Sequence, residues 1–155
     1  MPEEAPEASG ELHGWRERAV PTSLEAMRAP EREIMGRLVE CGYDEDHRFA
    51  IRLSFEEAAV NAMKHGNRMD PARFVRLRYQ ITPERAEIRV ADEGPGFDPC
   101  LVPDPTCDEN LQRPCGRGIM LIRAYMDEVS YSPTGNEIRM VKLNHRRAAP
   151  GGNRP

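Results

Sequence analysis

One stretch of the chain places polar side chains at helical spacing. Glu57, Asn61 and His65 stand four residues apart, so in a helix they lie along one stripe. An asparagine side-chain oxygen is a hard ligand suited to Mg²⁺, and a carboxylate one turn earlier can act as a general base. Lys64, beside the stripe, could neutralise phosphate charge. The residue types therefore fit a nucleotide site, although a solvated helix face gives the same pattern.

A short run further along could form the wall of the same pocket. Asp92 and Glu93 end an alternating, strand-like run, and two glycines, Gly94 and Gly96, follow on either side of a proline. Glycine lets another molecule approach the main chain closely, and Asp92 can accept a hydrogen bond from the exocyclic amine of a base. We expect Glu93 to face solvent. By itself, such a run is more often a surface turn.

A second glycine pair opens the last predicted helix. Gly116-Arg117-Gly118 leads into an apolar run that begins at Ile119, so the free N–H groups at this helix start point towards an anion. Arg117 either adds positive charge to that site or lies on the surface. The segment 98–115 before it is rich in proline, and a loop of this length inside a domain is usually functional or mobile.

The hydrophobic pattern predicts the elements that must position these residues. Strands show alternating apolar residues, and helices show apolar residues at intervals of three and four. In chain order the pattern predicts a weak strand at 15–20, a helix from Thr22 or Ser23 to about Cys41 that Pro30 kinks or divides, a helix at 45–64, strands at 74–81 and 86–91, a helix from 119, and strands at 128–132 and 137–143. This order indicates an α+β fold, a two-layer α/β sandwich whose mixed, mostly antiparallel sheet has its helices on one face.

Each of the first two helices has a predicted buried side, made of the apolar residues that recur at helical spacing. In the first helix these residues are Leu24, Met27, Ile34, Leu38 and Val39. In the second helix they are Phe49, Leu53, Val60 and Met63, with Ala50, Ala58 and Ala62. The small alanines indicate that another segment packs close to the second helix.

Composition limits the classes of protein that fit. The 155 residues suit one domain at 15–144, and the tails 1–14 and 145–155 are predicted to be disordered. A formal net charge of −4 gives no electrostatic reason to expect direct nucleic-acid binding. No run approaches the roughly 18 apolar residues of a membrane span, and the first residues do not resemble a signal peptide. We therefore expect a cytoplasmic protein that does not associate with membranes.

The four cysteines form no Cys-x-x-Cys pair; they are Cys41, Cys100, Cys107 and Cys115. Three of them fall within the loop-like segment 98–115, so a metal or redox role is open. In a chain that is not a short secreted scaffold, reduced and incidental thiols are the favoured interpretation.

The polar and glycine-rich stretches occur in the order of a known superfamily. Residues 57–66 resemble the N box of the GHKL ATP-binding superfamily, the Bergerat fold, while residues 92–97 resemble its G1 box and residues 116–119 its G2 box. Within the superfamily, the chain resembles the small bacterial anti-sigma factor serine kinases of partner-switching systems. It shares their Asn-Ala-x-x-His-Gly pattern and their Met-Asp-Glu-Val at 126–129. The similarity covers about Arg16 to Leu143.

The resemblance implies a role for each matched residue. Asn61 would bind the Mg²⁺ that bridges the ATP phosphates, and Glu57 would be the base that activates a serine hydroxyl on a protein substrate. Asp92 would recognise the adenine amino group. The segment 98–115 would be the ATP lid, and the other implied nucleotide-binding residues are Lys64, His65, Gly94, Gly96, Gly116, Arg117, Gly118 and Ile119.

The resemblance also implies partners. The protein would be an ATP- and Mg²⁺-dependent serine/threonine-protein kinase that binds a sigma factor, phosphorylates a STAS-domain anti-sigma factor antagonist, and forms a homodimer through its first strand and helix. Three alternatives are a non-catalytic ATP-binding anti-sigma or adaptor module, a stand-alone histidine-kinase-type catalytic domain, and a structural protein that no longer binds ATP. Two departures from the family pattern are Gly135-Asn136, in place of the usual Gly-Thr, and the cysteines and prolines of the lid.

Overall fold

One sheet of five strands forms the centre of the fold. The structure is a computed structural model that describes residues 14–95 and 114–145, with only the backbone described at 114–118. The strands are β1 (Arg16–Pro21), β2 (Phe74–Ile81), β3 (Arg85–Ala91), β4 (Glu128–Tyr131) and β5 (Glu137–Leu143). They lie side by side in the order β1-β2-β3-β5-β4, and each pairing is antiparallel. The predicted mostly antiparallel sheet is confirmed, and no parallel pair occurs among the described strands.

The described helices cover one face of this sheet. They are α1 (Arg28–Glu40), α2 (Glu45–Asn61) and α3 (Pro114–Tyr125); a 3₁₀ turn, Glu25–Met27, precedes α1, and a π turn, Ala62–Gly66, extends α2. Because α2 packs against α1, α3, β3 and β5, it is the central helix. The predicted two-layer sandwich is therefore confirmed. Within the described ranges, no helix is long and apolar enough to cross a membrane.

Proline sets the start of α1. The sequence predicts a helix from Thr22 or Ser23, but the chain first makes the 3₁₀ turn, and α1 begins at Arg28. Pro30 lies in the first turn of α1, where its missing N–H would have no partner in any helix. The predicted interruption is thus the start of a second helical segment rather than a kink.

The buried side of the first helical segment is partly as predicted. Met27, Ile34 and Leu38 are buried, but Leu24 and Val39 are 48% and 59% exposed, so their predicted burial was wrong. Leu24 stands before the 3₁₀ turn, where α-helical spacing does not apply. Val39 follows a buried leucine directly, and adjacent residues of a helix face different sides.

On α2 the buried face is rotated from the predicted one. Phe49 is 56% exposed, and Leu53 and Val60 are partly exposed. Ile51 and Phe55, which the prediction omitted, are buried. The predicted alanines are buried too, because neighbouring elements approach this helix closely. Met63 is buried as predicted. The predicted face was therefore right for Met63 and the alanines and wrong for Phe49, and small residues line much of the real one.

The outer face of the sheet holds a buried carboxylate. Glu87 is 3% exposed, and guanidinium nitrogens of three arginines lie 2.9 Å from its oxygens; these are Arg85, Arg89 and Arg139. Burial raises the pKa of Glu87, but hydrogen bonds from the arginines outweigh burial and hold that pKa below its usual value. The cluster joins β3 to β5 and so fixes the two strands that lead to the candidate site.

A carboxyl pair joins α1 to α2. Glu31 of α1 shares a hydrogen bond with Glu56 of α2, and Nε of Arg52 lies 3.7 Å from Glu31 and 3.4 Å from Glu56. Burial, and then the bond to Glu56, raises the pKa of Glu31 to about 7. Because the folded-state pKa exceeds the unfolded value of 4.5, the stability from this group is fully present below pH 4.5. It is lost as the pH rises through 7.

Glu31→Gln is expected to remove the contribution of Glu31 to the pH dependence of the unfolding free energy. Between about pH 4.5 and about pH 8, the wild type should lose about 1 kcal/mol of unfolding free energy relative to the variant, because solvent screening reduces the effect at a partly exposed site. Urea titrations at a series of pH values measure the difference. Glu25→Gln, on the exposed 3₁₀ turn, is the control and should follow the wild type. If the unfolding free energies of the wild type and Glu31→Gln changed equally with pH, the prediction would be contradicted.

Candidate functional site

The turn that follows α2 meets the end of β3 at one end of the sheet. Asp92 directly follows β3, and its backbone N–H donates to the carbonyl of Asn136, just before β5, at 2.9 Å. The π turn after α2 ends at the same place, where its last residue, Gly66, lies against Asp92. A Cβ atom added to Gly66 would be 2.1 Å from the Asp92 carboxylate. Real Cβ atoms do not approach so closely, so this contact as it stands requires glycine at position 66.

Gly94 closes the same contact from the other side. Its N–H donates to Oδ1 of Asp92 at 2.8 Å, and a Cβ atom on it would lie 2.1 Å from the carbonyl oxygen of Gly66. The sequence predicts that Gly94 lets a ligand approach the backbone. The structure shows that it also lets the end of the helix approach, so two parts of the chain far apart in sequence touch at Asp92.

Asp92 combines partial burial with one unused oxygen. Burial raises the pKa of its carboxyl above the usual value, and the Gly94 N–H and the positive charge of Arg73 only partly oppose that rise. Oδ1 accepts from Gly94, while no hydrogen bond from the described residues reaches Oδ2. A desolvated carboxylate with a free acceptor is typical of a binding site, and an exocyclic amine can donate to it.

Glu57 and Asn61 remain one helical turn apart, because α2 is α-helical as far as Asn61. Both side chains are partly exposed, and within the described part of the chain neither makes a hydrogen bond or an ion pair. A free amide oxygen beside a free carboxylate suits a Mg²⁺ ligand next to a general base. In the described part of the chain, this site included, no group of three His, Cys, Asp or Glu is placed to hold a metal ion.

A π turn follows the part of the helix that carries the first two residues of the predicted stripe. Glu57 and Asn61 are four residues apart in α2. The chain at 62–66 is wound more widely, with hydrogen bonds that reach five residues back. The place of His65 on the stripe stays a prediction. Lys64 and His65 are both exposed on this turn.

The second glycine pair lies inside α3 rather than before it. The helix begins at Pro114, five residues before the predicted start at Ile119, because proline suits the first helical position. Gly116 lies in the first turn, where N–H groups lack partners within the helix, and Gly118 lies in the second. Ile119 is buried at 7% exposure.

Several predictions concern residues outside the described part of the chain. They are Gly96, the lid from 98 to 113 with Cys100 and Cys107, and the tails 1–13 and 146–155. These predictions stay as they are. Cys41 is free and partly buried, and at Cys115 and Arg117 only the backbone is described.

Two residues that sequence reasoning missed support this end of the sheet. Asn67 is completely buried, and its side chain accepts a hydrogen bond from the N–H of Glu93 at 2.7 Å. Arg73 donates to the carbonyl of Gly66 at 3.5 Å. Glycine, and less often asparagine, marks the end of a helix, and this was the available sequence signal. Glu93 itself is exposed, as predicted.

Asn136 supports the site through its backbone. Its carbonyl accepts from Asp92, while its side-chain oxygen accepts from Thr134 at 2.8 Å and Ser132 at 3.3 Å within its own turn. The sequence leaves open whether asparagine makes the nucleotide contact of the usual threonine. Here the side chain holds the turn, and the residue places Asp92.

Known proteins are similar to this chain in sequence. The histidine kinase-like ATPase domain family matches residues 19–142. Serine-protein kinase RsbW of Bacillus subtilis (strain 168) is 29% identical over 141 residues, covering 84% of this chain and 87% of that protein. Serine-protein kinase RsbW of Bacillus licheniformis is 28% identical over 128 residues, covering 77% and 79%.

A solved structure is similar in fold. It contains the RsbU and RsbW domains of a Mycobacterium tuberculosis protein and superposes with a TM-score of 0.56 at 14% identity. The match covers 84% of this chain and 32% of that one, so this chain corresponds to about a third of the larger protein. At this identity the likeness concerns the fold alone.

Proposed function

Because the chain belongs to the histidine kinase-like ATPase domain family, we propose that it binds ATP with Mg²⁺ and transfers the γ-phosphoryl group to a serine hydroxyl of a protein partner. The observation that carries the proposal is the contact between Asp92 and the end of the helix that bears Glu57 and Asn61. It joins a group that can read a base to groups suited to phosphates and their metal. The similarity to RsbW supports this function at the level of the family.

The nucleotide would lie at this end of the sheet. The adenine amino group would donate to Oδ2 of Asp92, with Gly94 and Gly96 shaping that wall. Asn61 would hold Mg²⁺, which when bound neutralises charge on the phosphate oxygens. Lys64, exposed on the π turn, and the free N–H groups at the start of α3 would attract the phosphates.

Glu57 would take the proton of the attacking serine. Its partly exposed side chain leaves room for a substrate to approach, one turn from the metal ligand Asn61. The serine oxygen bonds to the γ-phosphorus, the bond from that phosphorus to the ADP oxygen breaks, and the hydroxyl proton passes to the carboxylate. The remaining contribution of the protein is positioning and charge stabilisation.

The protein partners follow from the same family. The substrate would be a STAS-domain anti-sigma factor antagonist, and a sigma factor would be the competing partner in the cytoplasm. When two partners compete for one protein, the nucleotide state can bias the choice between them. The proposed homodimer surface is β1 with the adjoining α1, because β1 is an edge strand among the described strands and pairs with β2 on one side only.

Transfer of label from ATP to a purified STAS-domain antagonist tests the proposal. The wild type should give phosphoserine, which survives acid, whereas an acid-labile phosphohistidine would favour the histidine-kinase alternative. ATP binding without transfer would favour the non-catalytic module. Absence of ATP binding would reject the proposal.

Asn61→Ala is expected to weaken ATP binding in Mg²⁺ by about tenfold or more, because it removes a proposed metal ligand. Replacing residues that only hydrogen-bond to a metal ligand already weakens metal binding by about tenfold or more. The side chain has no partner in the described structure, so the fold should not change. Calorimetric titration with ATP in Mg²⁺ and in EDTA measures the effect. In EDTA, wild type and variant should bind alike. Equal affinities in Mg²⁺ would contradict the metal role.

A further inference from the structure

A single buried asparagine joins four segments around the candidate site. Nδ2 of Asn67 donates to Oγ1 of Thr22 and to the carbonyl of Phe74, both at 3.0 Å. Its Oδ1 accepts from the N–H of Glu93 at 2.7 Å. These partners lie 45, 7 and 26 residues away along the chain. A buried side chain with its polar atoms paired is a rigid joint, because breaking a bond leaves a buried group unsatisfied.

The backbone of the same residue closes the π turn. The N–H of Asn67 donates to the carbonyl of Ala62 at 2.8 Å, and its own carbonyl accepts from Asp70 at 3.0 Å. The next two residues, Arg68 and Met69, have φ angles of 54° and 55°, in the left-handed region that non-glycine residues rarely adopt. Such a turn persists where surrounding contacts hold it, and Asn67 supplies several of them.

Thr22 and Glu93 extend the network on either side of Asn67. Oγ1 of Thr22 donates to the carbonyl of Arg73 at 2.7 Å while it accepts from Asn67. The Glu93 carboxylate accepts from the N–H of Phe74 at 3.1 Å, so the start of β2 is held from two sides. The connection after β1, the π turn, the start of β2 and the end of β3 are therefore fixed as one unit.

We propose that Asn67 is a positioning residue that holds the peptide after Asp92 against the π turn, and so sets the selectivity for adenine over guanine without touching the nucleotide. The inference rests on the proposed function, since it names what controls the base-reading end of that site. The Glu93 N–H that Asn67 holds belongs to the peptide directly after Asp92. A hydrogen bond weakens steeply as its geometry worsens, so a displaced carboxylate loses the adenine amino group.

Asn67→Ala in the full chain tests the proposal through the ratio of the Kd for GTP to the Kd for ATP. Adenine carries an amino group where guanine carries a carbonyl, so this ratio reports how well Asp92 is placed. We expect ATP to bind about tenfold more weakly and the ratio to fall by a similar factor, as the loss of one well-placed hydrogen bond does. The Kd for Mg²⁺-tripolyphosphate, which has no base, should not change.

Asn144→Ala is the matched control. Asn144 is also buried, at 1% exposure, and its Nδ2 donates to the carbonyl of Pro83 at 2.9 Å, at the opposite end of the sheet. This variant should lose some stability and keep the wild-type ratio. The loss should be smaller than in Asn67→Ala, because the side chain of Asn144 makes one described hydrogen bond where that of Asn67 makes three. If Asn67→Ala fails to fold, Thr22→Val removes one partner of the asparagine and keeps the asparagine itself. The ratio should fall in this variant as well.

The outcomes separate this inference from the proposed function. A wild type that binds no ATP overturns both. A wild type that prefers ATP, together with an Asn67→Ala or Thr22→Val variant that keeps the full ratio, overturns the role of Asn67 and leaves the proposed function standing. Equal falls in Asn67→Ala and Asn144→Ala indicate a general loss of structure and also overturn the inference, as does a wild type without preference between the two nucleotides.

Discussion

Glu57→Gln is expected to reduce the rate of phosphoryl transfer by about 10²- to 10⁴-fold, the usual contribution of a positioned general base. Glutamine has the shape of glutamate but cannot take up the hydroxyl proton. The Kd for ATP should stay within about twofold, because the proposed contacts of this residue are with the serine and not with the nucleotide. Single-turnover transfer of label and calorimetric ATP titration measure the two quantities.

The neighbouring carboxylate supplies the control for this variant. Glu57 has no partner in the described structure, so its replacement should change the unfolding free energy by less than about 0.5 kcal/mol. Glu56 instead contacts Glu31 of α1, and Glu56→Gln should transfer phosphate at the wild-type rate. A full rate in Glu57→Gln would exclude it as the base. Equal losses in the two variants would indicate an effect on the helix rather than on proton transfer.

Local spacing made the helical placement of Glu57 and Asn61 predictable. Glu57 and Asn61 lie in a helix that Asp44 caps, and its side chain accepts from the N–H of His47 at 2.8 Å. A side-chain cap and helical spacing are both readable over a few residues. For the same reason the alternating pattern gave the bounds of β2 as the structure has them, and β3 to within one residue.

The π turn could not be predicted from such local patterns. Its hydrogen bonds compete with those of an ordinary α-helix, and the sequence of the turn favours neither. The balance is set from outside: Asn67 ends the turn and is held by Thr22 and Glu93, which are 45 and 26 residues away. Long-range bonds of this kind leave no periodic signal. The π turn and the buried contacts of Asn67 were missed for that reason.

The buried face of α2 shows the same limit for packing. A hydrophobic pattern shows that a helix has a buried side, but not how many neighbours will cover it. The pattern predicted Phe49 as a core residue, yet its side chain is exposed. It packs edge-on against Tyr125, with ring centroids 5.8 Å apart. Ser54, fully buried on the same helix, would have been assigned to solvent on polarity alone.

Asp92→Asn is expected to weaken ATP binding by about 10- to 100-fold, the loss of a hydrogen bond to a charged acceptor. The N–H of Gly94 donates to Oδ1, so the asparagine oxygen must stay on that side and its NH₂ group must take the place of Oδ2. A donor then faces the adenine amino group, which repels it, whereas the guanine carbonyl can accept from it. The preference for ATP over GTP should therefore disappear or invert. Titrations with both nucleotides measure this.

Stability separates this role of Asp92 from a structural one. Because burial raises its pKa, the stability from this carboxyl is present below pH 3.8 and is lost as the pH rises through the folded-state pKa. Asparagine has no such loss, so at neutral pH the variant should have a Tm equal to or above that of the wild type. Glu84→Gln, exposed in the turn between β2 and β3 at the opposite end of the sheet, should bind ATP as the wild type does. Weak ATP binding with a lowered Tm would indicate that Asp92 holds the fold, and wild-type binding would exclude it from base recognition.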